Sequence, residues 1–220
     1  PNLSARLHEG TPDALLDECT RVIGLGSGMP QVFNDESIIP ALEAQGISKA
    51  DATDYAIVGC VELTTHGNNL GWSDAAMLNL VKALELAMND GKCLLTGAQL
   101  GPQTGYLTDF ANYEDLERAF ATQIDYFFEK MIEACEKVEE IHQRLLPSAL
   151  LSSVIDDCLE RGLDVTRGGA HYNLSGIQVI QVANVADSLA AVKKLVYEDG
   201  TIDRARLVAA LQTNYEHDEE

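Results

Sequence analysis

The sequence predicts an α/β fold with parallel strand pairing, and three observations carry that prediction. Residues 3–7, Ala56-Ile57-Val58 and Ile177 to Val182 are short apolar runs bounded by turn or polar residues, the pattern of strands. Longer stretches with three- and four-residue apolar spacing lie between them and read as helices. Strands separated by helices favour a parallel sheet, because a parallel pair needs a long crossover. The chain has 220 residues and 46% of them are apolar, enough for a sizeable core. No linker, repeat or low-complexity stretch divides it, so residues 1–220 read as a single domain.

The elements follow in order. A strand at 3–7 precedes a helix from about Pro12 to Val22. Gly24-Leu25-Gly26-Ser27-Gly28-Met29-Pro30 then reads as a plain loop. A lone GxG is a weak phosphate signal, no strand leads into it, and Pro30 stops a helix from opening there. Asn34-Asp35 begins a helix through Leu42, with Gly46 as its C-cap. The strand Ala56–Val58 ends at Gly59. If strand geometry continues, Cys60 and Glu62 share a side, because strand side chains repeat every second residue. Thr64 to Ser73 is polar, carries Gly67 and Gly71, and reads as a loop. Ser73 or Asp74 caps a helix through Met88, which stops at Asn89-Asp90-Gly91.

A glycine-containing loop leads to Asn112, which caps a long helix, with Asp115 three residues on as in a capping box. Leu116, Phe120, Ile124, Phe127, Met131, Ala134, Val138 and Ile141 keep one apolar stripe along it. Glu117, Glu129, Glu133, Glu136 and Glu140 mark a solvated opposite face. Cys135 borders the stripe and reads as core filler. Pro147 ends the helix. Ser152 to Arg161 is a further helix, Arg167 to Asn173 a compact loop, and Asn184 or Asp187 opens a helix through Tyr197. Residues 215–220 form a short acidic end.

A net charge of −20 disfavours nucleic acid and anionic membrane surfaces as partners. No stretch reaches the length of a transmembrane helix and no signal-peptide pattern opens the chain. Opening at Pro1 rather than methionine reads as a piece of something longer. Cys19, Cys60, Cys93, Cys135 and Cys158 are odd in number and form no CxxC pair. That fits a reducing cytoplasm and indicates neither disulfides nor zinc. His8, His66, His142, His171 and His217 are scattered, without metal-ligand spacing.

Spacing alone leaves Cys60 open between a small buried apolar residue and a reactive sulfur with Glu62 as proton acceptor. A cysteine hydrolase would need a base histidine, and only His66 is near in sequence.

Gly59-Cys60-Val61-Glu62, Gly71-Trp72-Ser73-Asp74-Ala75-Ala76 and Asn89-Asp90-Gly91-Lys92 resemble the active-site region of glycyl radical enzymes. The similarity is to the branch with glycerol and diol dehydratases and choline trimethylamine-lyase. Asp156-Asp157, Gly168-Gly169-Ala170-His171-Tyr172-Asn173 and the stretch Gln181 to Leu189 agree with that branch, so the resemblance covers essentially the whole chain. It implies part of a ten-stranded α/β barrel with the cysteine on a loop inside. It also implies a radical-based lyase or dehydratase in which Cys60 is the thiyl carrier and Glu62 the general base, its pKa raised if it is buried.

By the same resemblance Asp74 aligns with a substrate-contacting carboxylate, and Tyr172 with a pocket tyrosine. Asp74 is equally readable as a helix cap, and Tyr172 as a buried tyrosine with a satisfied hydroxyl. His66 and His171 receive no role. No bound cofactor or metal is implied. The radical belongs to a glycine in a C-terminal domain that this chain lacks, installed by a radical-SAM activating enzyme. Arg21-Val22-Ile23-Gly24-Leu25 resembles the radical motif in letters only. The implied partners are a small-molecule substrate, the activating enzyme, the remainder of the parent chain and a second copy in a homodimer. Leu63 and Ser73 depart from the dehydratase pattern of proline and histidine, so the dehydratase substrates do not carry over. A single Cys60 after Gly59 disfavours formate C-acetyltransferase chemistry, where two adjacent cysteines share the work. An arylacetate decarboxylase is the alternative enzyme, and a catalytically inert structural piece the alternative of another class.

Overall fold

The computed structural model describes residues 2–216; His217 and the rest of the acidic end lie outside the described residues. In chain order the elements are β1 (Ser4–Leu7), α1 (Asp13–Val22), β2 (Gln31–Asn34), α2 (Asp35–Ala44), α3 (Lys49–Thr53), β3 (Ala56–Val58), β4 (Glu62–Thr64), β5 (Asn69–Asn79), α4 (Leu80–Met88), α5 (Tyr113–Leu145), α6 (Ala149–Ser152), α7 (Cys158–Arg161), β6 (Tyr172–Ile180), α8 (Val182–Val192) and α9 (Arg204–Gln212). The chain forms two compact units, each drawn from two stretches. One is Pro1–Ala75 with Val138–Gly176, the other Ala76–Lys137 with Ile177–Glu220. The boundaries fall inside β5, α5 and β6, so no change of composition marks them.

In the first unit, β1 pairs with β2 in parallel, from Ser4 opposite Gln31 to Leu7 opposite Asn34. The crossover is α1, continued at Ile23–Ser27 by wider turns that break where Gly26 and Gly28 adopt positive φ. Asn34 then caps α2 by accepting a hydrogen bond from the Glu36 N–H at 3.1 Å. Parallel pairing is not general: β3 and β4 are an antiparallel hairpin. Phe33, Leu42, Ile47, Ala52 and Tyr55 form the core here, and Ile57, Leu63, Tyr172 and Leu174 pack on it. The hairpin thus anchors through one apolar residue of each strand.

A second cluster, Cys158, Val165 and Ala170, underlies the segment that leads into β6. Asp164 staples that segment by accepting from the Ser148 N–H, the Ser152 hydroxyl and the Thr166 N–H and hydroxyl. Burial pushes its carboxyl up, but these hydrogen bonds outweigh burial and hold it at about 2.

Four expectations about elements are corrected. The loop expected at Thr64–Ser73 is confined to 65–68, and β5 begins at Asn69. The backbones of β5 and β6 approach closely at Ser73: a Cβ on Gly176 of β6 would lie 2.5 Å from the Ser73 carbonyl oxygen. Asp74 therefore lies within a strand and caps nothing; α4 is capped by Asn79, which accepts from the Lys82 N–H at 2.9 Å. The helix expected at Ser152–Arg161 is two short helices, α6 and α7. The strand expected at 177–182 begins earlier, at Tyr172, and α8 starts at Val182.

In the second unit, Leu84, Ala87, Leu107, Phe110 and Leu116 pack with Val185 and Val192 of α8. The capping box at the start of α5 is reciprocal: Asp115 N–H donates to Asn112 Oδ1 at 3.0 Å, and Asn112 N–H to Asp115 Oδ2 at 3.2 Å. Further along α5, Val138 and Ile141 of the apolar stripe are exposed.

Gln123 on α5 is fully buried and donates to the Pro102 carbonyl at 2.8 Å and the Thr104 hydroxyl at 3.0 Å. A Cβ on Gly101 would fall 1.9 Å from Gln123 Oε1. Gly101→Ala is expected to destabilise the protein by about 1–3 kcal/mol, the range for overpacking a filled interior. A denaturation midpoint equal to that of the unaltered protein would show that the loop shifts freely instead.

Candidate active site

Gly59-Cys60-Val61 is the three-residue turn joining β3 to β4, closed by the pair Val58 and Glu62. The strand does not run through Cys60, so side-chain alternation is not what relates it to Glu62. Gly59 turns the chain at φ +60°, and a Cβ there would lie 2.7 Å from Glu62 Oε2. Only glycine meets both demands. The Glu62 carboxylate folds back over the turn, where Oε2 accepts from the Cys60 N–H at 3.0 Å and the Val61 N–H at 3.1 Å. The thiol and the carboxylate thus share one turn. Cys60 is exposed, whereas Cys19, Cys93 and Cys158 are buried.

The pKa of Glu62 is lowered, not raised. Hydrogen bonds from the backbone amides of Glu62, Val61 and Cys60 favour its ionised form and outweigh partial burial. The carboxylate is therefore ionised at neutral pH and able to accept a proton, though it is a weaker base than an ordinary glutamate.

The entrance to β3 is clamped. The Arg6 guanidinium pairs with both oxygens of Asp35, at 3.0 and 2.8 Å, and donates to the Tyr55 carbonyl at 2.9 Å and the Thr53 carbonyl at 2.9 Å. It also lies 3.8 Å from the centre of the Tyr55 ring. The Tyr55 hydroxyl donates to Asp35 at 2.7 Å. The hydrogen bond to Arg6, against the effect of burial, holds the Asp35 carboxyl below its usual range; burial, then the bond to Asp35, pushes the Tyr55 hydroxyl up to about 12. Residues so far apart in sequence carry no motif, so this clamp was not legible there.

Asp74 is exposed on β5. Tyr172 begins β6 with its ring against the first unit's core. Its hydroxyl donates to Asp51 Oδ2 at 2.7 Å and accepts from the Ser48 N–H at 3.0 Å, which ties it to the start of α3. His171 Nδ1 lies 2.8 Å from Asp157 Oδ2, an oxygen also held by Arg161. His66 is exposed in the turn after β4, as a loop histidine, while Cys60 lies in the turn before it. Among the described residues, no group of three His, Cys, Asp or Glu side chains could hold a metal, and no helix is long and apolar enough to cross a membrane.

Comparison with known proteins identifies the family. The chain is 35% identical over 215 residues to the (2S)-3-sulfopropanediol dehydratase of Klebsiella oxytoca, covering 98% of this chain and 26% of that protein. It is 32% identical to an isethionate sulfite-lyase of Nitratidesulfovibrio vulgaris, covering 100% of this chain and 27% of the relative. The glycerol-bound form of the B12-independent glycerol dehydratase from Clostridium butyricum superimposes with a TM-score of 0.86 at 36% identity, over 100% of this chain and 28% of that one. These relatives are named as dehydratases and a sulfite-lyase. The family model described as pyruvate formate lyase-like matches residues 1–220, and the chain belongs to that family. It spans roughly a quarter of the length of the relatives it matches.

Proposed function

We propose that the chain is part of the catalytic domain of a radical lyase of the dehydratase type, with Cys60 as hydrogen-atom carrier and Glu62 as general base. The observation that carries this reading is the Gly59-Cys60-Val61 turn, an exposed thiol with a carboxylate held on its own amides. A glycyl radical elsewhere in a full-length chain, installed by a radical-SAM activating enzyme, would supply the unpaired electron.

As a thiyl, Cys60 takes a hydrogen atom from a substrate carbon that bears a hydroxyl; the C–H bond breaks and an S–H bond forms. Glu62 accepts the hydroxyl proton. The neighbouring group then leaves with its bonding pair, and Cys60 returns a hydrogen atom to the product carbon. Asp74, exposed on β5, is the proposed contact to a substrate hydroxyl. Tyr172 is the second proposed contact, through its ring, because Asp51 and Ser48 already hold its hydroxyl. A ten-stranded barrel completed by the rest of a longer chain would exclude solvent and oxygen from the turn. In this reading the complete enzyme is a cytoplasmic homodimer.

Product analysis with the activated full-length protein tests the reaction class. Release of water, an amine or sulfite from substrates with a hydroxyl beside the leaving group is the expected outcome. Labelled carbon dioxide from an arylacetate, with no elimination, would overturn it in favour of a decarboxylase.

A further inference from the structure

A polar side chain from outside the hairpin reaches the cysteine turn. Asn2 Nδ2 donates to the Gly59 carbonyl oxygen at 3.1 Å, across 57 residues of sequence. Arg6, four residues later, donates to the Tyr55 carbonyl at 2.9 Å. Tyr55 and Gly59 are also four residues apart, but meet these partners in reverse order. The segment 2–7 therefore runs alongside 55–59 in the opposite direction. It is joined there by side chains from alternate positions of one face rather than by a backbone ladder. One contact sits at each end of β3.

Their sturdiness differs. Arg6 is locked by Asp35 and by the ring of Tyr55, so the lower end of β3 is fixed. At the upper end, the Gly59 carbonyl belongs to the peptide whose N–H is that of Cys60. That N–H is one of the backbone donors that hold Glu62. Fixing the plane of this one peptide therefore sets the direction of the Cys60 N–H, and with it the position of the Glu62 carboxylate over the turn. A residue with positive φ, as at Gly59, gains most from such a restraint, because glycine has the widest backbone freedom to lose.

We propose that Asn2 is a positioning residue for the candidate active site, orienting the Gly59–Cys60 peptide so that the thiol and the Glu62 carboxylate keep one relative geometry. Its effect on turnover rests on the proposed roles of Cys60 and Glu62; its effect on the turn does not.

Three substitutions in the full-length protein separate donor from shape. Asn2→Asp keeps the size but sets an oxygen against the Gly59 carbonyl. Asn2→Ala removes the group, and Asn2→Gln restores an amide donor. Amide hydrogen exchange of Cys60 and Val61 is expected to quicken about fivefold in the Asp and Ala variants, the scale of one net hydrogen bond. It should return to within twofold of the unaltered protein in Asn2→Gln, with thermal midpoints unchanged throughout. In the activated enzyme, kcat should fall with the faster exchange while KM holds. Exchange unchanged in Asn2→Asp and Asn2→Ala would overturn the proposal, as would equal quickening in Asn2→Gln. Faster exchange with undiminished kcat, in an enzyme that Cys60→Ala inactivates, would overturn the positioning role. If Cys60→Ala remains active, the proposed function fails, and exchange alone judges Asn2.

Discussion

Cys60→Ala in the activated full-length protein is expected to reduce turnover to the detection limit, at least about 10,000-fold, the scale on which loss of an essential reacting group registers. The glycyl radical signal in electron paramagnetic resonance should form as before. The turn makes this a clean substitution. Within this chain Cys60 is exposed, so alanine disturbs no packing among the described residues. The contact that Cys60 makes with Glu62 runs through its backbone N–H, which alanine retains. What disappears is the sulfur alone. Cys60→Ser, which keeps a polar hydrogen but raises the cost of breaking its bond homolytically, should be as inactive. Turnover within tenfold of the unaltered enzyme in Cys60→Ala would sink the hydrogen-carrier role. Loss of the radical signal together with activity would point to a role in radical installation instead.

The sequence made some parts of this molecule legible and hid others, and the difference is physical. The start of α5 was readable because a capping box is local: Asn112 and Asp115 satisfy each other's amides three residues apart. β1 and α1 were readable for the same reason, since each element's pattern lies within its own span, whereas β2, four residues between a proline turn and a helix cap, carries no such pattern. β5 was hidden because Gly71 and Ser73 within it, next to Gly67 of the true turn, look like loop composition, while the close approach of β6 to Ser73 is a constraint on Gly176, about a hundred residues away. The nearness of Cys60 and Glu62 has a different geometric origin from the one their spacing implies. Alternation along a strand predicts a shared face, whereas the structure has a three-residue turn that curls a carboxylate back onto amides. Gly59 carried the signal for the turn, as a glycine directly after an apolar run, but a glycine does not announce which side chain will fold over it. Asn2, Arg6 and Asp35 reach the hairpin across long separations in sequence, so no spacing rule could find them.

Glu62→Gln is expected to lower turnover about 100- to 10,000-fold, the range that general base catalysis contributes, while leaving the turn intact. Glutamine keeps a carbonyl oxygen that can accept from the Cys60 and Val61 N–H groups, but it cannot take a proton at neutral pH. Glu62→Ala removes acceptor and base together. Activity should therefore fall in both variants, whereas amide exchange at Cys60 and Val61 should quicken only in the alanine variant. The pH dependence gives an independent reading. The amides hold the Glu62 carboxyl below its ordinary value, so in the free enzyme the acid limb of kcat/KM should lie below about 4.3, the unperturbed glutamate pKa. The sign for stability agrees: the hydrogen bonds favour the ionised form, so their contribution is present above the unfolded-state pKa and is lost as pH falls through the folded one. A glutamine variant within tenfold of full activity would make Glu62 a clamp for the turn and move the base elsewhere. The amides that position this carboxylate also weaken it as a base, so the proposed reaction would need a substrate proton acidified by a neighbouring radical. That requirement couples the two residues. Glu62 can serve as base only after Cys60 has acted, and neither substitution should be rescued by raising the pH.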